Sequence, residues 1–219
     1  MYNVDIVSLS GNTLFSCKIG DKKFKTADPS VRRGEAVKRA LSAGIDLSGA
    51  VLSYVNLRDA NLRGVNLSGA SLVGAKLSGA DLALANLSDT DLLHASLCNS
   101  TLTQADLSRA NLRHATLDGA DMSQAVLVGA KLGGASLYGT GVMGVREIIL
   151  AGEPNGFQAF GWLSGSTICV QVGCRDYDLE YGRKYWAGKP NRTEVLAALD
   201  YIEKVARLRK WLPRRRKGK

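Results

Sequence analysis

From Ile45 to Val142 the apolar positions recur every five residues without interruption. In each phrase, such as Ala50-Val-Leu52-Ser-Tyr54 or Ala60-Asn-Leu62-Arg-Gly64, the first and third residues are apolar or small and the rest are mostly polar or glycine. The third residue, the centre, is Leu in 18 of 20 repeats, with Met122 and Val142 the exceptions. The residue two before it is Ala in 14, and Ile45, Val55, Val65, Thr90, Ser100 and Thr140 fill the other six. A period of five suits neither an amphipathic helix, with its 3.6-residue turn, nor a strand of simple alternation. It requires a chain that turns once per repeat. Four such sides close a square coil of twenty residues, so the twenty repeats predict five coils stacked about 4.8 Å apart, a rod some 20 to 25 Å long.

In that arrangement the centres fill the axis, with Leu47, Leu67, Leu87, Leu107 and Leu127 forming one inward ladder of the structural core. Gly recurs two places after the centre, as at Gly49, Gly64 and Gly129, where a type II turn needs a positive φ. The repeated A(N/D)LxG phrase resembles the pentapeptide-repeat family. That resemblance implies a mainly β fold, a right-handed quadrilateral β-helix, over a little under half the chain. It implies no activity, because a repeat of this kind builds a surface and function resides in what is placed on it.

The flanks read differently, and three segments are expected: residues 1–44, 45–145 and 146–219. Asn3–Leu9 and Thr13–Ile19 around Ser10-Gly11-Asn12 predict a β-hairpin, and Ser30 an N-cap for a helix reaching Ser42. Together they are expected to cap the first coil, since a repeat rod leaves its apolar axis and strand edges open at its ends. After the rod, aromatics crowd between Phe157 and Trp186, and a small α/β domain is expected. Thr167–Val172 reads as its strand, Asp178–Ala187 as a helical segment, and Asn191 with Glu194 as the start of a helix that runs to Pro213. The aromatics are read as the core of this domain, with a ligand groove as the alternative. The whole arrangement is similar to phage- and prophage-encoded members of the family.

Charge changes the picture at the ends. Residues 1–44 carry eight basic against four acidic side chains, the rod six against eight, and residues 146–219 fifteen against eight, for a net charge of +9. Arg207, Arg209, Lys210, Arg214, Arg215, Arg216, Lys217 and Lys219 make the C-terminus a candidate contact for nucleic acid or an acidic partner. Only Trp211 adjoins that run to stack a base, so binding there is expected to ignore sequence. Imitation of duplex DNA towards type II topoisomerases, which the resemblance implies for some members, is disfavoured by six cations and no interrupting loop in the rod.

Positions twenty apart stack in adjacent coils, which pairs His94 with His114 and Asp89 with Arg109 as surface ladders. Two imidazoles alone make a poor metal site, and no Ser ladder has a neighbouring base. With no phosphate loop, HExxH or GxSxG phrase, an enzyme is not expected, nor any cofactor or metal. Cys17, Cys98, Cys169 and Cys174 lack CxxC spacing and read as reduced thiols. No apolar run is long enough for a membrane span and the N-terminus lacks a signal-peptide pattern, so the expected location is cytoplasmic. The resulting expectation is a rigid module that binds a protein partner, with nucleic-acid association through the C-terminus as the alternative. The oligomeric state is left open, a dimer among the options.

Overall fold

The computed structural model describes residues 2–20, 24, 26–142, 145, 148–151, 159–164, 167–172, 175–189 and 192–210. The chain forms two compact units, 1–145 and 146–219.

In the first unit the coil length is read directly from the ladder: Val51 pairs with Ser71, Asn56 with Lys76 and so on to Asp121 with Gly141, always in parallel and always twenty residues apart. Each centre from Leu52 to Met122 donates its N–H to the next coil, as Leu52 N does to Ser71 O at 2.8 Å, and each corner closes with a short turn, as Val55 N does to Leu52 O at 3.2 Å. Every Leu centre is buried, and the five ladder residues Leu47, Leu67, Leu87, Leu107 and Leu127 are at most 2% exposed. The polar intruders at the small position, Thr90 and Ser100, are buried without cost in lost hydrogen bonding. Their hydroxyls donate to Leu87 O at 2.6 Å and Leu97 O at 2.7 Å, one turn back. Ile45, Val65 and Val142 are only partly buried.

The repeat's second position explains itself in the same geometry. Asn56, Asn61, Asn66, Asp81, Asn86, Asp91, Asp106, Asn111 and Asp121 each accept, through the side chain, the backbone N–H two residues on. This local bond holds the bend, which is why short amide and carboxylate side chains fill the site.

The corner position, two after the centre, departs from the glycine expectation. All nineteen described corners have φ between 53° and 72°, yet ten of them carry side chains: Tyr54, Asp59, Leu84, Asp89, His94, Asn99, Gln104, Arg109, His114 and Gln124. The turn therefore imposes the left-handed conformation whatever the residue, at roughly 1–2 kcal/mol for an ordinary L side chain. Asp, Asn and His tolerate it best. Leu84, at φ 62° and 49% exposed, has neither a local hydrogen bond nor deep burial to offset the strain. Leu84→Gly is expected to stabilise the rod by up to ~1 kcal/mol after the greater freedom of the unfolded glycine is deducted, read as a slightly raised melting temperature. A fall in thermal melting would show that the leucine's contacts outweigh its strain.

At the start of the unit, β1 (Tyr2–Val7) and β2 (Thr13–Ile19) pair antiparallel, and α1 spans Pro29–Ser42. β1 stops short of Leu9 because the chain leaves the hairpin for the rod: Leu9 N donates to Gly49 O, and Val7 O accepts Val51 N, both at 2.8 Å. The N-cap of α1 is Asp28 rather than Ser30. Its carboxylate accepts Ser30 N at 2.8 Å, and Pro29, whose missing N–H is no loss in the first turn, follows it. From α1, Ser30 O accepts Asn56 N at 3.2 Å and Arg33 donates to Ser53 O at 3.0 Å. Hairpin and helix thus bind backbone groups of the first coil that have no earlier coil to pair with.

The second unit is a four-stranded antiparallel sheet in the order β3 (Ile148–Leu150), β4 (Ala159–Ser164), β5 (Thr167–Val172), β6 (Arg175–Asp178), followed by α2 (Leu179–Ala187) and α3 (Arg192–Leu208). Ala159, Ile168, Val170 and Val172 meet Val195, Leu199, Ile202 and Ala206 of α3 in one core. Gly161 lets the helix approach, for a Cβ there would lie 2.4 Å from Ile202. Asp178 caps α2 by accepting Tyr181 N at 2.6 Å. Asn191, the expected cap of α3, lies outside the described residues. The helix ends at Leu208, five residues before Pro213, with Lys210 at φ 61° turning the chain.

Candidate functional site

The rod's four corners carry side chains held in fixed rows, twenty residues apart. On one corner stand Tyr54, Gly74, His94, His114 and Gly134. A Cβ at Gly74 would lie 2.6 Å from the Tyr54 ring, and one at Gly134 would lie 2.4 Å from His114 Nδ1, so the two glycines make the room over which the rings lean. His94 and His114 stack with centroids 5.2 Å apart and planes 20° from parallel. Stacked this way, their in-plane lone pairs run side by side instead of converging on one ion. Among the described residues no group of three His, Cys, Asp or Glu is placed to hold a metal. Tyr54 is 66% exposed, the largest aromatic surface on this corner.

A neighbouring corner holds Asp89 and Arg109, paired through Nε–Oδ1 at 2.7 Å and Nη2–Oδ2 at 2.5 Å. The hydrogen bond from Arg109, and then its charge, hold the Asp89 carboxyl below the ordinary carboxylate range and raise the guanidinium in turn. The sign follows directly. A carboxylate with a depressed folded pKa adds stability that is present above its unfolded pKa and fades as pH falls through the folded one. An NMR titration of Asp89 is expected to show a midpoint below the usual value near 4 that moves up in Arg109→Gln. An unmoved midpoint would mean that the pair is absent in solution. The exposure of both groups keeps the contribution of such a pair small.

Of the basic C-terminal candidates, Arg207, Arg209 and Lys210 are described, while Arg214, Arg215, Arg216, Lys217 and Lys219 lie outside the described residues. Arg207 is bound to Glu203 at 2.5 Å, and Arg209 donates to Ile148 O at 2.9 Å. Both side chains are tied to their own unit, and Lys210 is exposed. Arg183, which reaches Asp200 and Glu203, extends the same network.

The crowded aromatics divide. Phe160 and Trp162 are buried, at 2% and 4% exposure, as a core reading expects. Tyr177, Tyr181 and Tyr185 instead form near-parallel tiles with centroids 5.2 to 6.5 Å apart. Arg175 and Lys189 approach the Tyr185 ring at 5.6 and 4.8 Å, and Tyr181 is 57% exposed. Burial raises the Tyr177 phenol above its ordinary value. Their four-residue spacing is the signal in the sequence for this row.

A family model described as Pentapeptide repeats matches residues 43–69, 66–104 and 105–140. The chain belongs to the pentapeptide-repeat family. The described ladder, parallel and twenty residues per coil, is that family's β-helical solenoid. No curated protein shows significant similarity to the chain. Among solved structures, it is similar to Rfr23 from the cyanobacterium Cyanothece 51142, with 39% identity over 40% of this chain and 60% of that one and a TM-score of 0.40. It is similar also to HetL of Nostoc sp. strain PCC 7120, a protein involved in heterocyst differentiation regulation, with 30% identity over 43% and 58% and a TM-score of 0.21. A trypsin-treated QnrB1, a plasmid-mediated fluoroquinolone resistance protein, matches with 21% identity over 42% and 56% and a TM-score of 0.30. The chain covers less than two thirds of the length of each of these pentapeptide-repeat proteins. No helix among the described residues is long and apolar enough to cross a membrane.

Proposed function

We propose that this pentapeptide-repeat chain is a non-enzymatic binding module that holds a host protein against its rod in the bacterial cytosol. One observation carries the reading: ten of nineteen described corners bear side chains in a conformation that glycine alone adopts freely. A rod that only had to close would be served by glycine at each corner. Strain accepted at exposed positions, with Tyr54 66% and Leu84 49% accessible, is the pattern of a surface built for display. The lattice beneath fixes each side chain at low entropic cost, which favours recognition by a preorganised face.

The same reading takes the hairpin and α1 of residues 1–44 as the cap of the 45–145 rod, residues 146–219 as an appended α/β domain, and the whole module as phage or prophage derived. Imitation of duplex DNA is disfavoured because cations are interspersed over the rod, as at Arg58, Lys76, Arg109 and Arg113. Affinity capture from a bacterial lysate on the immobilised full chain, with and without nuclease, tests the reading. A protein retained after nuclease treatment and at 0.5 M salt (about a 4 Å screening length) is the expected result. Retention that disappears with nuclease, or falls steeply and log-linearly with salt, would assign the binding to nucleic acid and the C-terminus instead.

A further inference from the structure

Where α1 lies against the first coil the structure leaves an open cavity of about 350 Å³, within the range of small-molecule sites. Its floor is closed by backbone on backbone, since Gly34 lies so near the coil that a Cβ would stand 2.0 Å from Asn56 O. Phe24, 7% exposed, and the half-buried Val31 give it apolar walls.

The polar groups on its lining are three donors and one carboxylate. Asn56 Oδ1 is engaged by Arg58 N at 3.3 Å, which leaves the amide Nδ2 as its free end, a donor. Lys38 and Arg58 are exposed and form no ion pair among the described residues. Glu35 sets a carboxylate on the same lining, with Oε1 bound by Arg39 Nε at 3.1 Å and its charge offset by that guanidinium. Three donor groups, two of them cationic, therefore stand against one carboxylate that is already paired, and they border an apolar cleft. Carboxylates are the natural complement of such a set, because charge-assisted bonds to them are the stronger kind.

We propose that this cavity binds a small organic anion: a carboxylate on a flat apolar body of about one ring. The carboxylate meets Lys38, Arg58 and the Asn56 amide, and the ring lies between Phe24 and Val31. The site is independent of the corners that display the rod's surface, so its failure would leave the protein-binding reading standing.

Titration of the full-length protein with sodium benzoate, followed by the Asn56 side-chain amide signal in NMR and by calorimetry, tests the site. Neutral benzamide and inorganic sulfate serve as shape and charge controls. Saturable one-site binding of benzoate is expected, with both controls at least about tenfold weaker. Arg58→Gln and Lys38→Gln, both at exposed positions, are each expected to weaken benzoate about tenfold at an unchanged melting temperature. Val31→Trp, which fills the cleft without altering charge, is expected to abolish binding. Non-saturable benzoate, equal binding of sulfate or benzamide, or benzoate binding unaffected by both Gln variants would overturn the proposal.

Discussion

Leu87→Asp is expected to unfold the rod. Leu87 is fully buried on the axis, flanked in its own ladder by Leu67 and Leu107, each no more than 1% exposed. The backbone groups around it are already spent, with Leu87 N on Asp106 O at 2.7 Å and Leu87 O taken by both Thr90 N and Thr90 Oγ1. A carboxylate placed there meets no free donor, and an unpaired buried charge costs at least ~4 kcal/mol. Because each coil depends on its neighbours, a fault in the third coil interrupts the stack in both directions. The adjacent outward change, Ser88→Asp, is expected to cost no more than about 1 kcal/mol, since Ser88 is only half-buried and faces away from the axis. Circular dichroism and melting of the two variants side by side decide it. Equal tolerance would contradict the inward and outward assignment of every repeat.

Gly34→Ala should be the most damaging single-methyl change in the first unit. On helix propensity alone it ought to stabilise α1 by about 1 kcal/mol, because Gly34 lies in the helix interior. The added Cβ would stand 2.0 Å from Asn56 O and 3.0 Å from Asn56 C, both backbone atoms that cannot swing aside. α1 must then move off the first coil, with loss of the Ser30–Asn56 and Arg33–Ser53 bonds. A net loss of about 2–4 kcal/mol is expected, read as a lowered melting temperature and faster exchange of the Asn56 amide. A variant that melts higher than the parent would show that the helix does not rest on the coil as described.

These two residues also mark what was legible in the sequence. Leu87 was readable because a five-residue period assigns inside and outside without any knowledge of the corners. The strand of the second unit with strong β-branched content, Thr167–Val172, was readable too, as was α3 from its helical period. β4 was not, because its Ala-Phe-Gly-Trp run breaks alternation at Gly161, and only the approach of Ile202 explains that glycine. β3 and β6, at three and four residues, offer too little pattern to recognise.

The corners were half legible. Glycine at nine of them announced positive φ, but nothing in Tyr54, Leu84 or Arg109 by itself says that the chain will force an L residue into the same region. That knowledge comes from the coil, whose ladder bonds fix both flanks of the turn. In the basic C-terminus the pair of Arg207 with Glu203 is an i,i+4 contact on one helix and could be read from the sequence, whereas the tie of Arg209 to Ile148 O is tertiary.

The central claim is that corner side chains are displayed for a partner at a cost in rod stability, and one variant tests both halves together. In Tyr54→Gly/His94→Gly/His114→Gly every change relieves a positive φ on one corner and removes its exposed rings. Affinity capture on this variant and on the parent, with a thermal melt of each, is the deciding measurement. The expected result is a melting temperature no lower than the parent's together with loss of the nuclease-resistant protein partner. A variant that melts lower while retaining the partner in full would contradict the claim, since the corner would then serve the fold and not the surface.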